Sequence, residues 1–192
     1  MPKVVPEYKD EARRRIIEAA IAEADEKGFS NLKMEGVAVR LGISRATLYL
    51  YVKSKDDLIS SALAYIRSRL SESLQDACSN NTLEGTFSAI FDHVIYPEGR
   101  MGMNAIIEMF ASAVRDDSLR DAVGKNYRAI HDLIAAVLEE QKAAGRLGDL
   151  DTDLSTSIVV SVALGIRMGA AAGLERDEAQ RVWEAAVRRI LE

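Results

Sequence analysis

The chain has 192 residues, of which 48% are hydrophobic and 29% are charged, with three prolines and one cysteine. This length and composition suit one or two domains around a sizeable core, and they exclude collagen-like, disordered and disulfide-stapled secreted proteins. The formal net charge of −5 argues against a protein that coats nucleic acid along its whole length. We expect the lone Cys78 to be a small buried hydrophobe in a reducing compartment.

Apolar residues recur at helical spacing along the chain, which predicts an all-α fold of about nine helices. The predicted helices cover about 7–27, 34–41, 45–51, 55–78, 83–96, 101–116, 118–144, 153–173 and 177–191. The long fourth helix should connect an N-terminal domain of residues 1–54 to a second domain of residues 55–192.

One apolar stretch, residues 154–174, is long enough to cross a membrane. Arg167 lies well inside it, and a charge at that depth costs at least about 2.5–3.5 kcal/mol, so we expect a buried helix with no membrane contact. The N-terminal residues lack the apolar region of a secretory signal. The sequence therefore predicts a soluble, cytoplasmic protein.

Charge is distributed unevenly. Residues 1–60 carry 11 basic and 10 acidic side chains, a net charge of 11 − 10 = +1, whereas residues 61–192 carry 14 and 20, a net charge of −6. The segment of residues 33–55 contains five basic side chains and one acidic side chain, Glu35, and so has a net charge of +4. This pattern is typical either of a solvated face or of a protein that touches a polyanion at one end.

Residues 37–58 have the spacing of a helix-turn-helix motif. Gly42 suits the left-handed turn between two helices, and Ser44 suits the N-cap of the second helix. The residues that follow Ser44 are small or polar and face outward around an inward Leu48, so the backbone could approach base edges in a major groove. Lys53 and Lys55 stand where the next helix begins and could bind phosphate.

From about Tyr8 to Ala62, the sequence resembles the N-terminal DNA-binding domain of the TetR (tetracycline repressor) family. The resemblance is carried by Gly28-Phe29, the Ala38/Gly42/Ser44 spacing, Thr47-Leu48-Tyr49 and Ser54-Lys55, and it covers less than a third of the chain. It implies base or phosphate contacts by Arg45 and Thr47, and phosphate contacts by Tyr49, Tyr51 and Lys55. The predicted DNA-binding residues are Lys33, Ser44, Arg45, Ala46, Thr47, Tyr49, Tyr51 and Lys55.

The sequence departs from the family pattern at two positions. Lys33 stands where the family usually has a Ser or Thr cap for the second helix, so we expect Ser30 or Asn31 to supply the cap and Lys33 to keep a phosphate contact. Val52 replaces a usual Phe, which keeps the position apolar but predicts looser packing of the fourth helix.

Small residues repeat at every fourth position from Ser157 to Gly173, a pattern that lets another helix approach closely. That helix could belong to the same chain or to a second copy. The resemblance favours a homodimer, because the last two helices of the family form a four-helix interface, and a homodimer implies a pseudo-palindromic operator in duplex DNA. The predicted interface residues are Ser161, Gly165, Gly169, Gly173, Val182, Trp183, Ala186 and Ile190.

Aromatic, histidine and methionine side chains are frequent in the central helices, where they form either core or the lining of an effector pocket. We expect Arg167 to pair with Glu108 or Asp132, or with an anionic ligand. The predicted pocket residues are Phe91, His93, Tyr96, Met103, Phe110, Tyr127, His131 and Arg167, with Phe87 and Met109 nearby.

Catalytic motifs are absent from the sequence, which has two histidines and neither a zinc-binding pattern nor a nucleophile elbow nor a phosphate loop. We therefore expect no enzyme activity, cofactor or metal. The predicted function is a ligand-responsive transcriptional regulator, most simply a repressor that an unknown small molecule releases from DNA. The alternatives are a DNA-binding protein or a helical adaptor without an effector.

Overall fold

The structure, a computed structural model, describes residues 6–79, 83–97 and 103–191, and the side chains of 9–76, 84–97 and 105–190. Within these ranges it contains nine α-helices and no strand, which confirms the predicted all-α fold. The helices are α1 (Pro6–Lys27), α2 (Met34–Leu41), α3 (Arg45–Leu48), α4 (Lys55–Ser79), α5 (Leu83–Ile90), α6 (Met103–Ala113), α7 (Asp117–Ala143), α8 (Thr152–Ala171) and α9 (Arg176–Leu191). A 3-10 turn, Phe29–Asn31, follows α1, and a π-helical turn, Phe91–Ile95, continues α5. The side chains of Cys78 and Met103 lie outside the described residues.

The packing divides the chain into two compact units. Unit 1 comprises residues 1–66 and 101–123, and unit 2 comprises residues 67–100 and 124–192. The first half of α4 and all of α6 therefore pack with the N-terminal helices, and α4 and α7 each contribute to both units. The predicted domain boundary between residues 54 and 55 separates the DNA-binding segment from the rest of the chain by function. The division by packing does not test it, so it stays a prediction.

The core of unit 1 forms where the apolar stripes of its first four helices meet. Ile16 of α1, Val37 of α2, Leu48 of α3 and Leu58 of α4 are buried in one cluster. Val52 is fully buried in the same cluster, as expected for an apolar residue at that position. Because each short helix supplies a buried side chain to this cluster, α2 and α3 are held against α1 and α4 although each is too short to be stable alone.

A second cluster in unit 1 brings α6 against the 3-10 turn. Phe29 packs with Ile59 of α4 and Met109 of α6. The Glu108 carboxylate of α6 accepts a hydrogen bond from the Ser30 amide at 3.4 Å, at the start of the turn. A Cβ on Gly28, whose φ is +87°, would come within 2.8–2.9 Å of the Glu108 carboxylate oxygens, so both backbone conformation and space favour glycine there.

A buried carboxylate ties α1 to α2. Glu23 is 3% exposed and accepts hydrogen bonds from Lys27 at 2.7 Å and from Arg40 of α2 at 3.1 Å. Arg40 also pairs with the exposed Glu26. The hydrogen bond from Lys27 lowers the pKa of Glu23, and Arg40 adds to this effect, which together outweigh the burial that raises it. A Cβ on Gly36 would overlap the Glu23 carboxylate, so glycine allows the two helices to approach.

Unit 2 is built around α8, α9 and the end of α5. Trp183 of α9 is buried, its ring meets the edge of Phe87 with centroids 6.1 Å apart, and its indole N–H donates to the Phe87 carbonyl at 2.9 Å. Trp183 thus belongs to the core of its own chain, which corrects the expectation that it faces a second copy. Its one polar atom is satisfied inside that core, so the ring is stabilised where it lies.

Among the described helices, α8 has the length and composition to span a membrane, with a mean hydropathy of 1.6. Its apolar residues include Val159, Ile166 and Ala170, which are buried inside unit 2. Arg167 is also buried, and it donates a hydrogen bond to the Val94 carbonyl. These contacts are typical of a core helix of a folded domain.

We predict that Glu23→Gln lowers the free energy of unfolding by about 1–3 kcal/mol at neutral pH, because it removes the charge from two charge-assisted hydrogen bonds. Folding lowers the pKa of Glu23, so the carboxylate stabilises the fold above its unfolded pKa, and this stabilisation is lost as the pH falls through the folded pKa. The difference in stability between wild type and variant should therefore narrow in acid. Denaturant unfolding at several pH values measures it.

The matched control is Glu26→Gln, which removes a carboxylate from the same arginine at an exposed position. Its expected cost is roughly 0–1 kcal/mol. Equal losses in the two variants, or a loss for Glu23→Gln that does not change with pH, would contradict this prediction.

Candidate nucleic-acid interface

The turn between α2 and α3 depends on Gly42. Its φ of +66° places it in the left-handed region, and its amide donates to the Val39 carbonyl at 3.0 Å. The Ile43 amide donates to the Ala38 carbonyl at 3.0 Å, and the Ile43 side chain packs against the core of unit 1. The turn therefore satisfies the last carbonyls of α2 and sets the direction in which α3 leaves.

Ser44 caps the second helix of the motif. Its hydroxyl accepts a hydrogen bond from the Thr47 amide at 3.0 Å and lies 2.8 Å from the Thr47 hydroxyl. Leu48 is fully buried and anchors the helix, whereas Arg45 and Ala46 are exposed. α3 is shorter than predicted, because residues 49–52 continue as turns that end in the buried Val52. The start of α3, where helix amides lack partners within the helix, is therefore at an exposed position of unit 1.

Residues 49–55 carry further predicted DNA-binding side chains of unit 1. Tyr49 is 43% exposed, and Tyr51 and Lys55 are half-buried. The Lys55 ammonium lies 5.7 Å from the centroid of the Phe29 ring, a cation–π distance. Ser54 caps α4, because its hydroxyl accepts a hydrogen bond from the Asp57 amide at 3.1 Å.

The predicted cap of α2 is wrong. Lys33 is the N-cap residue, and its side chain makes no capping hydrogen bond. Asn31 instead donates to the Lys27 carbonyl at 2.9 Å and so serves the end of α1, while Ser30 is engaged with α6 through Glu108. Both residues lie in the 3-10 turn, which is separated from α2 by the buried Leu32.

Not every cation in the 33–55 segment is available to a polyanion. Arg40 is occupied by Glu23 and Glu26. Within the described side chains, Lys33, Arg45 and Lys53 have no acidic partner, and all three are exposed. Of the five basic residues in this segment, Arg40 is therefore neutralised, and three unneutralised cations and Lys55 remain on the surface of unit 1.

The predicted effector-pocket residues are distributed over both units. Phe110 belongs to unit 1, whereas the others with described side chains belong to unit 2. His93 is exposed, Tyr127 is half-buried, and His131 lies 3.1 Å from the Ser157 hydroxyl through Nε2. Arg167 donates a hydrogen bond to the carbonyl of Val94, which lies between Phe91 and Tyr96 in the sequence, and the pocket itself stays a prediction.

The Phe91 and Tyr96 rings are stacked, with centroids 6.1 Å apart, and they already hold a cation. The guanidinium of Arg176 lies 5.2 Å from the Phe91 centroid and 5.6 Å from the Tyr96 centroid. Arg176 also pairs with Asp92 and donates to the Tyr96 carbonyl at 2.8 Å. A ligand that binds these rings would have to displace this side chain.

A separate apolar cavity of about 50 Å³ lies within unit 1, between α1, the 3-10 turn, α4 and α6. Met109 is one of its lining residues, together with Phe29 and Ile106. This volume is small compared with the pockets that bind drug-sized molecules, so we interpret the cavity as a gap in the packing of the core.

An exposed apolar stripe runs along α8. Leu154, Ile158, Ser161, Gly165 and Met168 follow each other at intervals of four and three residues, and all are exposed. On α9, Val182 is exposed and Ala186 and Ile190 are half-buried. A stripe at this spacing is typical of helices that pack against a partner helix.

Only part of the predicted small-residue stripe lies on this surface. Gly165 has open space around its Cα, whereas a Cβ on Gly169 would meet Leu174 of the same chain at 3.1 Å. Gly173 follows the end of α8 with a φ of +103°, so it belongs to a turn. The strict four-residue repeat drifts around the helix, because α-helices have 3.6 residues per turn.

Two family models match this chain. Residues 16–62 match bacterial regulatory proteins of the tetR family, and residues 85–192, more than half of the chain, match the C-terminal region of BetI-type transcriptional repressors. The HTH-type transcriptional repressor KstR of Rhodococcus jostii (strain RHA1) is 36% identical over 74 residues, which are 38% of this chain and 35% of KstR. The matched stretch thus spans about a third of that relative.

Solved structures match over nearly the whole chain. A TetR-family transcriptional regulator from a Rhodococcus species superposes with a TM-score of 0.85 and 21% identity, over 95% of this chain and 100% of its own. A transcriptional regulator from Saccharomonospora viridis, solved in complex with choline, has a TM-score of 0.67 and 20% identity, over 92% of this chain and 94% of its own. At these identities the likeness shows a shared fold.

We predict opposite outcomes for two substitutions of Ser44. Ser44→Ala removes the cap of α3 and should cost about 0.5–2 kcal/mol of unfolding free energy. Ser44→Asp keeps an oxygen acceptor for the Thr47 amide, so stability should stay near that of wild type, while the added charge repels phosphate and weakens duplex binding.

Unfolding and duplex titration of the same preparations measure both effects. Ser60→Ala, at an exposed position of α4, is the control for losing a serine hydroxyl. Undiminished duplex binding by Ser44→Asp would show that the start of α3 does not face DNA.

Proposed function

Because this chain belongs to the TetR family of bacterial transcriptional regulators, we propose that it is a repressor that binds a pseudo-palindromic operator as a homodimer and is released by a small molecule. The observation that carries the DNA-binding part is the capped start of α3, where the free amides and the exposed Arg45 and Ala46 lie together. Small side chains there let the helix approach base edges, and Arg45 has the donors to read a guanine.

Phosphate contacts would come from around α3. Lys33, Lys53 and Lys55 bracket the helix in sequence, and two of them lack an acidic partner among the described side chains, while Lys55 rests over Phe29. Cations that are not neutralised within the protein can displace the counterions of a duplex, which gives salt-dependent affinity. Hydroxyls of Tyr49 and Tyr51 are further candidates to donate to phosphate.

The homodimer is supported by the exposed stripe of α8 and its neighbours on α9. Apolar side chains such as Leu154, Ile158 and Met168 lose contact with water when they pack against a second copy, and Gly165 lets the partner helix come close. A two-fold dimer would present two copies of α3 to half-sites one helical turn apart, ~34–36 Å, or a multiple of that distance.

The small-molecule response is supported by the family and by the choline-bound structural neighbour. Quaternary ammonium compounds are therefore the first effectors to test, and one that uses Phe91 and Tyr96 must displace Arg176. Coupling is reciprocal, so an effector that weakens operator binding must itself bind the operator complex more weakly by the same factor. If no effector changes operator binding, the alternative of a DNA-binding regulator without an effector is favoured. Under both alternatives we propose a cytoplasmic location for this chain.

Two substitutions in unit 1 should affect duplex binding differently. Lys55→Ala should weaken binding to every duplex and reduce the slope of log affinity against log salt concentration by about one. Arg45→Ala should cost about 1–3 kcal/mol of discrimination between the operator and mixed-sequence DNA. The operator is the duplex that the wild-type protein selects from a randomised pool, and titrations at several salt concentrations measure both quantities.

Arg69→Ala is the matched control for lost charge, because Arg69 is an exposed residue of α4 that pairs with Glu72. It should leave the salt slope unchanged. A salt slope that Lys55→Ala does not alter would contradict the proposed phosphate contact.

Gly165→Leu tests the dimer. In a single chain the new side chain meets open space, whereas at a two-fold interface it overpacks the contact and costs about 1–3 kcal/mol or more. The variant should therefore dissociate at concentrations where the wild type is dimeric, keep its helical circular dichroism, and bind the operator more weakly. Analytical ultracentrifugation measures the association.

Gly148→Leu, a substitution in the loop before α8 where a Cβ also meets open space, is the control. Both variants remaining dimeric would place the interface elsewhere. Gly169→Leu is unsuitable as a test, since its side chain would collide with Leu174 of its own chain.

A further inference from the structure

Arg13 of α1 reaches across to the segment that joins α3 to α4. One of its terminal nitrogens, Nη1, donates to the Tyr51 carbonyl at 3.3 Å. The other, Nη2, donates to the Ser61 hydroxyl at 2.7 Å and lies 3.4 Å from Oδ1 of Asp57. A single guanidinium thus fixes the backbone at Tyr51 relative to the first turns of α4.

Asp57 continues this connection to the other side of Val52. Its Oδ2 accepts a hydrogen bond from the Lys53 amide at 2.7 Å, and its own amide donates to the Ser54 hydroxyl at 3.1 Å. Val52, between the two anchored residues, is fully buried. The backbone of residues 51–54 is therefore held by hydrogen bonds on its outer side and by a core side chain on its inner side.

This segment carries Tyr51, Lys53 and Lys55, three side chains with a proposed part in phosphate binding. We propose that Arg13 and Asp57 form a positioning pair that holds residues 51–55 in the geometry that binds phosphate. The inference rests on the proposed DNA-binding function. It assigns to Arg13 an internal role, in contrast with that of a cation that itself faces DNA.

Electrostatics alone makes the opposite prediction for Asp57. A carboxylate near the binding surface repels a polyanion, so removing its charge should strengthen duplex binding. If Asp57 positions the lysines, replacing it with Asn leaves one acceptor oxygen in place of two, so the contact with the Lys53 amide or with the Arg13 guanidinium is lost, and part of the segment must be ordered at the moment of binding. The sign of the change in affinity separates the two explanations.

The decisive comparison is Asp57→Asn against Asp56→Asn. Asp56 is the neighbouring carboxylate in the first turn of α4, it is exposed, and it has no hydrogen-bond or ionic partner among the described residues. We expect Asp57→Asn to weaken binding about tenfold, the loss expected when two or three side chains must be ordered on binding. Asp56→Asn should leave affinity unchanged or raise it. Both the selected operator and a mixed-sequence duplex should respond by the same factor, because phosphate contacts do not read sequence.

A second pair of variants tests the guanidinium. Arg13→Gln should weaken binding by a factor similar to that of Asp57→Asn, whereas Arg14→Gln, which loses an exposed arginine paired with Glu11 and Glu18 on the same helix, should have a smaller effect. The double variant Arg13→Gln/Asp57→Asn should lose less affinity than the sum of the two single losses, because the two residues hold the same segment and share the Arg13–Asp57 contact. Additive losses would indicate that Arg13 contacts DNA directly and would overturn the proposal.

Thermal unfolding of each variant separates positioning from stability. A purely structural pair would lower the unfolding temperature and leave the affinity of the folded protein unchanged, which would overturn the proposal. If Asp57→Asn does not fold, Ser61→Ala removes one bond to Arg13 without changing charge, and it should weaken duplex binding a few-fold. Unchanged affinity in Ser61→Ala would then overturn the proposal.

The wild-type titration distinguishes this inference from the function on which it rests. If the wild-type protein binds neither duplex in a salt-dependent way, the proposed DNA-binding function fails. If the wild type binds and Asp57→Asn strengthens binding as Asp56→Asn does, the positioning pair alone fails.

Discussion

The arrangement of the helix-turn-helix depends on one buried carboxylate. Glu23 binds Lys27 within α1 and Arg40 across the helix contact, and Gly36 gives the carboxylate the space that it occupies. A buried charge is costly unless it is paired, so this contact is satisfied in one relative placement of α1 and α2. Because α3 follows α2 after a turn of only three residues, the placement of α2 against α1 also determines the orientation of Ser44 and Arg45.

The sequence was most informative where structure is local. The Gly42 turn, the Ser44 and Ser54 caps and the buried positions of Leu48 and Val52 follow from short-range rules of backbone conformation and apolar spacing. The missing cap of α2 has a tertiary cause. The Asn31 side chain binds the end of α1, and the Ser30 hydroxyl lies 3.5 Å from the Ser112 hydroxyl of α6. Spacing along the sequence does not reveal where α6 packs.

The sequence was least informative in unit 2, where packing decides which face of a helix is free. Five small residues at intervals of four suggested one continuous stripe, but the exposed face of α8 keeps Ser161 and Gly165 and drops Gly169, which packs on Leu174. Trp183 was expected on that surface, whereas its ring fills the core against Phe87. The π-helical turn was also missed, because the apolar spacing of this segment is that of a continuous helix and does not distinguish the two hydrogen-bond patterns.

The charges of unit 1 connect stability to DNA binding. Arg13 and Arg40 are committed to carboxylates and backbone groups that fix the helices, whereas Lys33, Arg45 and Lys53 are left without acidic partners in the described part of unit 1. A count of basic residues treats these two sets alike. In the proposed complex with DNA, only the unneutralised set would contribute fully to counterion release, whereas the other set holds the helices that carry those cations. The proposed function therefore makes duplex affinity depend on acidic residues such as Glu23 and Asp57, although each carries a charge that DNA repels.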